Sequence, residues 1–329
     1  MEALRYSIAV ALVSALSLAV GIGVYALGSF LLMRPHTAAR RLGVSMRELF
    51  REIWIAAYTQ PLVPLYYLFG RRMGGAKGDV PVVLVHGYMQ NRACFLGLAH
   101  GLTKRGVGPV YAINYPWYAS IADNAKRLDR FVREVCEETK APRVDLVCHS
   151  MGGLVAMEMM RDEVRAKSLL VRRCVTIATP HAGIMWRGPL IGFGASNLRR
   201  GSKLLAAHAG YKIAVPCLSL YSSHDNLVHP KESSQLTLRG GRDIEVEDVA
   251  HLAILFSPKV AEHTSAFLLE PEHRSEPVLV RAADVSGATD VSGATDVSGN
   301  DDDGVADADR APEEIDPAVV HGDASQRPV

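Results

Sequence analysis

Three kinds of hydrophobic pattern follow one another along the chain. The first is an unbroken run, Ser7 to Met33, with no charged residue. As an α-helix rising ~1.5 Å per residue it would extend about 40 Å, enough to cross a bilayer with tilt. A second uncharged, aromatic-rich run, Ile53 to Phe69, contains Pro61 and Pro64 and is near the minimum length for a span. It therefore predicts an interfacial or re-entrant segment rather than a second crossing. From residue 79 the pattern changes to short β-branched runs separated by helical stretches. Strands are predicted at Val80–Val85, Val110–Tyr115, Val144–Val147, Val171–Ile177, Val215–Tyr221 and Ile244–Val246. Between the second and third, Ile121, Ala125, Leu128, Val132 and Val135 recur at helical spacing, with charged residues on the other faces. Strands alternating with helices predict an α/β fold, with a mainly parallel sheet of about six strands flanked by helices.

The third pattern is the loss of any pattern. From Pro271 to Val329 the chain is acidic, rich in small residues and nearly free of aromatics, and it repeats the hexamer DVSGAT from Asp284 and again from Asp290. Such a segment cannot bury enough apolar surface to offset its ordering entropy, so disorder is expected. The organisation read from these shifts is a transmembrane anchor at 1–33, a basic and aromatic juxtamembrane segment at 34–78, an α/β domain at 79–270, and a disordered acidic tail at 271–329.

Charge sharpens this division. The formal net charge of +1 conceals 14 acids and 4 bases from Pro271 onward, which leaves 21 acids and 32 bases before it. A basic body behind an apolar anchor suits an anionic lipid surface as partner. No basic cluster interleaved with stacking aromatics occurs, so nucleic acid is not expected. Arg34, Arg40, Arg41, Arg47 and Arg51 follow the apolar run while Arg5 alone precedes it. The positive-inside rule then predicts a single pass with the α/β domain on the cytoplasmic side of the inner membrane, a periplasmic domain being the alternative. A cleaved signal peptide would carry a shorter apolar region and a small-residue cleavage site. The five cysteines, Cys94, Cys136, Cys148, Cys174 and Cys217, are odd in number and lie without CxxC or Cys/His metal spacing. They read as free thiols, and neither a disulfide framework, a metal nor a cofactor is expected.

Chemistry enters at the third strand, where VDLVCHSMGGLVAMEMM passes from a buried strand through a tight turn into an apolar helix. Ser150 sits at that turn. In a nucleophile elbow a serine occupies a strained strand-to-helix turn, its Oγ projects over the sheet, and the helix N-terminus points its N–H groups at developing negative charge. Cys148 stands where a G-x-S-x-G pattern would have its first glycine. The alternative role for Ser150 is simply to cap the helix.

The motifs PVVLVHGYMQN at Pro81–Asn91, CHSMGG at Cys148–Gly153, TIATPHAG at Thr176–Gly183 and SSHDNLVHP at Ser222–Pro230 occur in this order. With them the chain resembles the α/β-hydrolase superfamily, in particular its bacterial lipases and esterases with a compact six-stranded core, over roughly residues 79 to 270. The resemblance implies an oxyanion hole built from the backbone N–H groups of Tyr88 and Met151, with His86 as a structural residue of the same turn. It also implies the order nucleophile, acid, base. Asp225 follows the fifth strand and His251 the last, so the implied triad is Ser150, His251 and Asp225, with Asp243 and Asp248 as alternative acids. A serine needs such a base, and the imidazole needs a carboxylate to fix its tautomer. Residues 183–210, with Met185, Trp186, Leu190, Ile191 and Phe193 among glycines, interrupt the strand–helix alternation, and in resembling enzymes a lid is inserted here. The function implied is hydrolysis of carboxylic esters, lipid or small-molecule, through an acyl-enzyme. Transfer of the acyl group to another hydroxyl, or a fold retained as an inactive membrane-bound scaffold, are the alternatives.

Overall fold

The computed structural model describes residues 2–36, 42–62, 70–75, 78–186 and 192–271. The acidic tail with its hexamer repeats, Pro64, and Leu190 and Ile191 lie outside the described residues.

Seven strands form one sheet: β1 (Arg72–Gly74), β2 (Val82–Val85), β3 (Val110–Ala112), β4 (Val144–His149), β5 (Val171–Ile177), β6 (Cys217–Tyr221) and β7 (Arg242–Glu245). Their order is β1-β3-β2-β4-β5-β6-β7, and all neighbours are parallel except β1, which runs antiparallel to β3. Six of the strands are those predicted from the β-branched runs, with bounds that differ by no more than three residues at any end. The seventh, β1, has only three residues and no β-branched side chain to signal it.

Both faces of the sheet are covered, as parallel sheets require. Along β2, Val82 and Leu84 join one core with α3 (Leu96–Lys104) and α7 (Pro258–Leu269). Val83 and Val85 join the other with α4 (Ile121–Thr139) and α5 (Met151–Arg165). Helix α4 begins where Ser120 Oγ accepts the Asp123 N–H at 3.0 Å. Its predicted face, Ile121, Ala125, Leu128, Val132 and Val135, is buried throughout. Strand order reverses between β2 and β4, so the C-terminal ends of these two strands flank the crevice where open α/β sheets bind ligands.

Two helices precede the sheet. Helix α1 (Glu2–Met33) is the one element among the described residues long and apolar enough to cross a membrane. Its described side chains from Arg5 to Gly21 are exposed, whereas Ile22, Ala26, Phe30 and Met33, at spacings of four, four and three, are buried. Phe30 and Met33 belong to the α3/α7 core. Helix α2 (Leu42–Thr59) begins well before the aromatic run that sequence singled out, and its sidedness is inverted. Glu48, Glu52, Ala56 and Thr59 face inward, while Leu42, Met46, Phe50, Trp54 and Tyr58, each four residues from the last, are exposed.

Candidate active site

The turn from β4 into α5 holds Ser150 at φ 53° and ψ −126°. A positive φ is costly for a residue with a Cβ, and such strain persists only where the surroundings over-determine it. Here the Ser150 N–H donates to the Ile177 carbonyl at 2.9 Å, and the Gly153 N–H donates back to the Ser150 carbonyl at 3.0 Å. Gly152 allows α5 to approach β2, since a Cβ there would lie 2.3 Å from the Val85 carbonyl oxygen. Cys148 points into the α4/α5 core, so its side chain fills apolar space and leaves the elbow unobstructed.

His251 reaches the serine from the loop after β7. Its Nε2 lies 3.0 Å from Ser150 Oγ, and its Nδ1 lies 2.8 Å from Asp225 Oδ2. Asp225, in the loop after β6, directs its other oxygen at the backbone N–H groups of Leu227 and Val228, at 2.8 and 2.7 Å. With one oxygen fixed by two amides, the second is aimed at the imidazole. Nδ1–H donates to Asp225, which leaves the Nε2 lone pair to accept the serine proton. Burial of His251 works against its charged form. The charge and hydrogen bond of Asp225, joined by the charge of Glu52, outweigh burial and set the pKa above the ordinary histidine value.

The structure thus brings Ser150, His251 and Asp225 into one hydrogen-bonded line and places the alternative acids elsewhere. Asp243 accepts the Leu236 and Thr237 N–H groups at 2.8 and 3.0 Å. Asp248 is 44% exposed and lies 3.9 Å from Arg47. Tyr88 lies in the turn after β2, and Met151 opens α5 directly after the serine. The Met151 N–H is one of the first-turn amides that a helix leaves without an intrahelical acceptor.

His86, His149 and His181 are structural. His86 stacks on the Tyr115 ring at 4.1 Å, receives the Tyr115 N–H at 3.3 Å, and burial pulls its pKa down to about 4. The Tyr115 hydroxyl donates to the His86 carbonyl. His149, next to the serine in sequence, points away into the protein, between Gln90 Oε1 at 2.9 Å and the His251 carbonyl at 3.1 Å. Burial holds it well below the histidine range, so its neutral ring donates to one of these at a time. His181 contacts Thr176 Oγ1 at 3.1 Å, and burial lowers it likewise.

Three supporting residues escaped the sequence reading. Gln90 Oε1 accepts the Gly87 N–H at 3.0 Å and shapes the turn that carries Tyr88. Asn226 Oδ1 accepts the His251 N–H at 2.9 Å. Glu52 accepts the N–H groups of Leu252 and Ala253, at 3.0 and 2.9 Å. Asn226 directly follows the implied acid, which was the available signal. For Glu52 the signal was its place four residues after Glu48 on one helix face, beside an apolar stripe.

A strained serine between strand and helix, at the reversal point of a parallel sheet and in line with histidine and aspartate, defines a class of fold. The sequence matches the alpha/beta hydrolase family over residues 82–243. Among solved structures the chain is similar to lipase B of Aspergillus fumigatus, with 17% identity, a TM-score of 0.52, and coverage of 60% of this chain and 53% of that one. It is also similar to the lipase BlEst2 of Bacillus licheniformis, with 16% identity, a TM-score of 0.51, and coverage of 60% and 94%. It therefore spans about half the length of the Aspergillus lipase and nearly all of the Bacillus one. The chain has the α/β-hydrolase fold, and its residues 82–243 match that family.

Proposed function

We propose that the protein is a membrane-anchored carboxylic ester hydrolase that cleaves lipid acyl esters through an acyl-enzyme on Ser150. The observation that carries this reading is the position of His251, within hydrogen-bond distance of both Ser150 Oγ and Asp225. In the reaction Ser150 Oγ attacks the ester carbonyl while its proton passes to His251 Nε2, and the imidazolium is stabilised by Asp225. The carbonyl oxygen, now an oxyanion, is received by the N–H groups of Tyr88 and Met151. Collapse expels the alkoxide, which takes the proton from Nε2 and leaves as alcohol. Water then attacks the acyl-serine by the same route, releasing the carboxylic acid and restoring Ser150.

Lipid as the source of the ester is supported by what surrounds the site. Helix α1 from Arg5 to Met33 is long and apolar enough to cross a bilayer, and its described side chains from Arg5 to Gly21 are exposed. The packed part supports retention of the helix, since Tyr25 and Ser29 hydrogen-bond to buried groups of the domain. The exposed stripe of α2 continues the apolar surface beside this anchor, as in helices that lie in a membrane interface. The Arg residues that follow α1 favour the cytoplasmic side. An aromatic path leads from the serine outward: the Tyr88 ring meets Trp117 at 5.1 Å, Trp117 meets Tyr118 at 5.6 Å, and the Tyr118 carbonyl accepts the Phe193 N–H at 2.7 Å. Residues 183–210, with Met185, Trp186 and Phe193 exposed, supply the lid over an acyl chain.

The test is a hydrolysis screen of p-nitrophenyl esters and emulsified acylglycerols with full-length wild type and Ser150→Ala. The variant is expected to lose about 10⁶ in kcat. Turnover that survives in Ser150→Ala would refute the assignment, and a product ratio shifted toward new ester by added alcohol would move the reading to acyl transfer.

A further inference from the structure

One buried acid takes no part in that reaction. Glu52 of α2 is fully buried, and among the described residues no Lys or Arg forms an ion pair with it. A carboxylate in such a place is expensive unless hydrogen bonds replace its water. Every partner here is a donor: the Leu252 N–H reaches Oε1 and Oε2 at 3.0 and 3.1 Å, the Ala253 N–H reaches Oε2 at 2.9 Å, and the Tyr25 hydroxyl reaches Oε1 at 2.8 Å. Burial raises the carboxyl above its ordinary pKa, and these hydrogen bonds, with the charge of His251, pull toward the ionised form. The two amides directly follow His251. The His251 N–H itself is held by Asn226 Oδ1 at 2.9 Å, and Asn226 Nδ2 donates to Ser29 Oγ at 2.7 Å. Three successive amides of the histidine loop are therefore held by two side chains, and each of those side chains is tied to α1.

We infer that Glu52 is a positioning residue for the catalytic histidine, and that with Asn226 it makes the membrane-anchoring helix α1 part of the support of the active site. This rests on the proposed Ser150–His251–Asp225 triad. Two effects follow from the geometry. Glu52 fixes the loop, so that Nε2 meets Ser150 Oγ, and its charge favours the imidazolium that forms during proton transfer. The groups facing His251 are Asp225 from the loop after β6, His149 from the end of β4, Ser150, and Glu52. Those facing Glu52 are Tyr25 from α1 and the histidine loop, with Glu48, Arg47 and Arg51 on its own helix.

Glutamine separates the two effects. In Glu52→Gln the amide oxygen can still accept from Leu252 and Ala253 while the amide nitrogen donates to Tyr25, so the position is kept and the charge is lost. The experiment measures kcat, KM and the pH profile of p-nitrophenyl ester hydrolysis by full-length protein in detergent, for wild type, Glu52→Gln, Glu52→Ala, the double variant Tyr25→Phe/Ser29→Ala, and Ser150→Ala. Glu52→Gln should move the acid limb of kcat/KM to lower pH, because removing a negative charge makes His251 easier to deprotonate. Glu52→Ala should lose about 10²-fold in kcat with little change in KM, since a catalytic group displaced by about 1 Å costs that much. The α1 double variant should lower kcat in the same direction with fluorophosphonate labelling slowed in parallel. If Glu52→Ala does not fold, the glutamine and α1 variants decide the matter through the pH profile and kcat. An unmoved acid limb and wild-type kcat in those variants, with Ser150→Ala inactive, would overturn the inference and leave the triad standing. Activity in Ser150→Ala would overturn both.

Discussion

Gly87 lies against Ser150 so closely that a Cβ built on it would sit 2.9 Å from Ser150 Cβ, and equally near Gln90 Oε1. The turn after β2 and the elbow after β4 are thus packed backbone to side chain, which sets Tyr88 beside the nucleophile. Gly87→Ala is expected to push this turn away from the serine. The predicted result is a fall of about 10² in kcat/KM for ester hydrolysis, with circular dichroism unchanged. Wild-type kinetics in this variant would mean that the turn takes no part in the reaction.

The pH dependence follows from His251. As a base it must be neutral, and its pKa is raised, so kcat/KM should rise with pH through a limb lying above the ordinary histidine value of about 6.5. His86, at about 4, and His149, lower still than an ordinary histidine, remain neutral across this range and add no limb. Asp225→Asn removes the nearest negative charge, so the limb should move to lower pH while kcat drops about 10⁴. A limb below 6 in the wild type would contradict this reading of the charges.

Helix α2 was only partly legible in the sequence, and the reason is physical. A search for uncharged runs finds Ile53 to Phe69, but the helix starts at Leu42, and its sidedness depends on knowing that Glu48 and Glu52 face inward. Burying carboxylates and exposing Phe50 and Trp54 reverses the usual rule for soluble domains, so periodicity alone cannot say which face is inside. The strands were legible because β-branched runs such as Val82–Val85 and Val171–Ile177 are buried on both faces. Ser150, Asp225 and His251 were legible because each follows a strand end in a recognisable motif. Glu52 and Asn226 act through backbone amides, and the sequence signals them only faintly, by the Glu48–Glu52 spacing on one helix face and by the place of Asn226 beside the implied acid.

The outward stripe of α2 yields its own prediction. In the single-tryptophan variant Trp117→Phe/Trp186→Phe, reconstituted in nanodiscs, Trp54 fluorescence should be blue-shifted and quenched by brominated lipid. Emission typical of water, unaffected by brominated lipid, would remove α2 from the membrane surface.

The aromatic segment near the site should govern long acyl chains in particular. Trp186→Ser and Phe193→Ser are expected to impair hydrolysis of long-chain esters far more than of acetate esters, since each lost apolar contact costs about 1 to 3 kcal/mol of acyl-chain binding. Equal losses on both substrates would make the segment part of the ordinary core.

The most direct test of the account is covalent labelling of full-length protein with a fluorophosphonate, followed by peptide mass spectrometry. The strained serine in line with His251 and Asp225 predicts one phosphonylated site, Ser150, formed in time-dependent fashion, slowed greatly in His251→Ala and absent in Ser150→Ala. A folded wild-type protein that takes up no label, or one labelled at another residue, would contradict it.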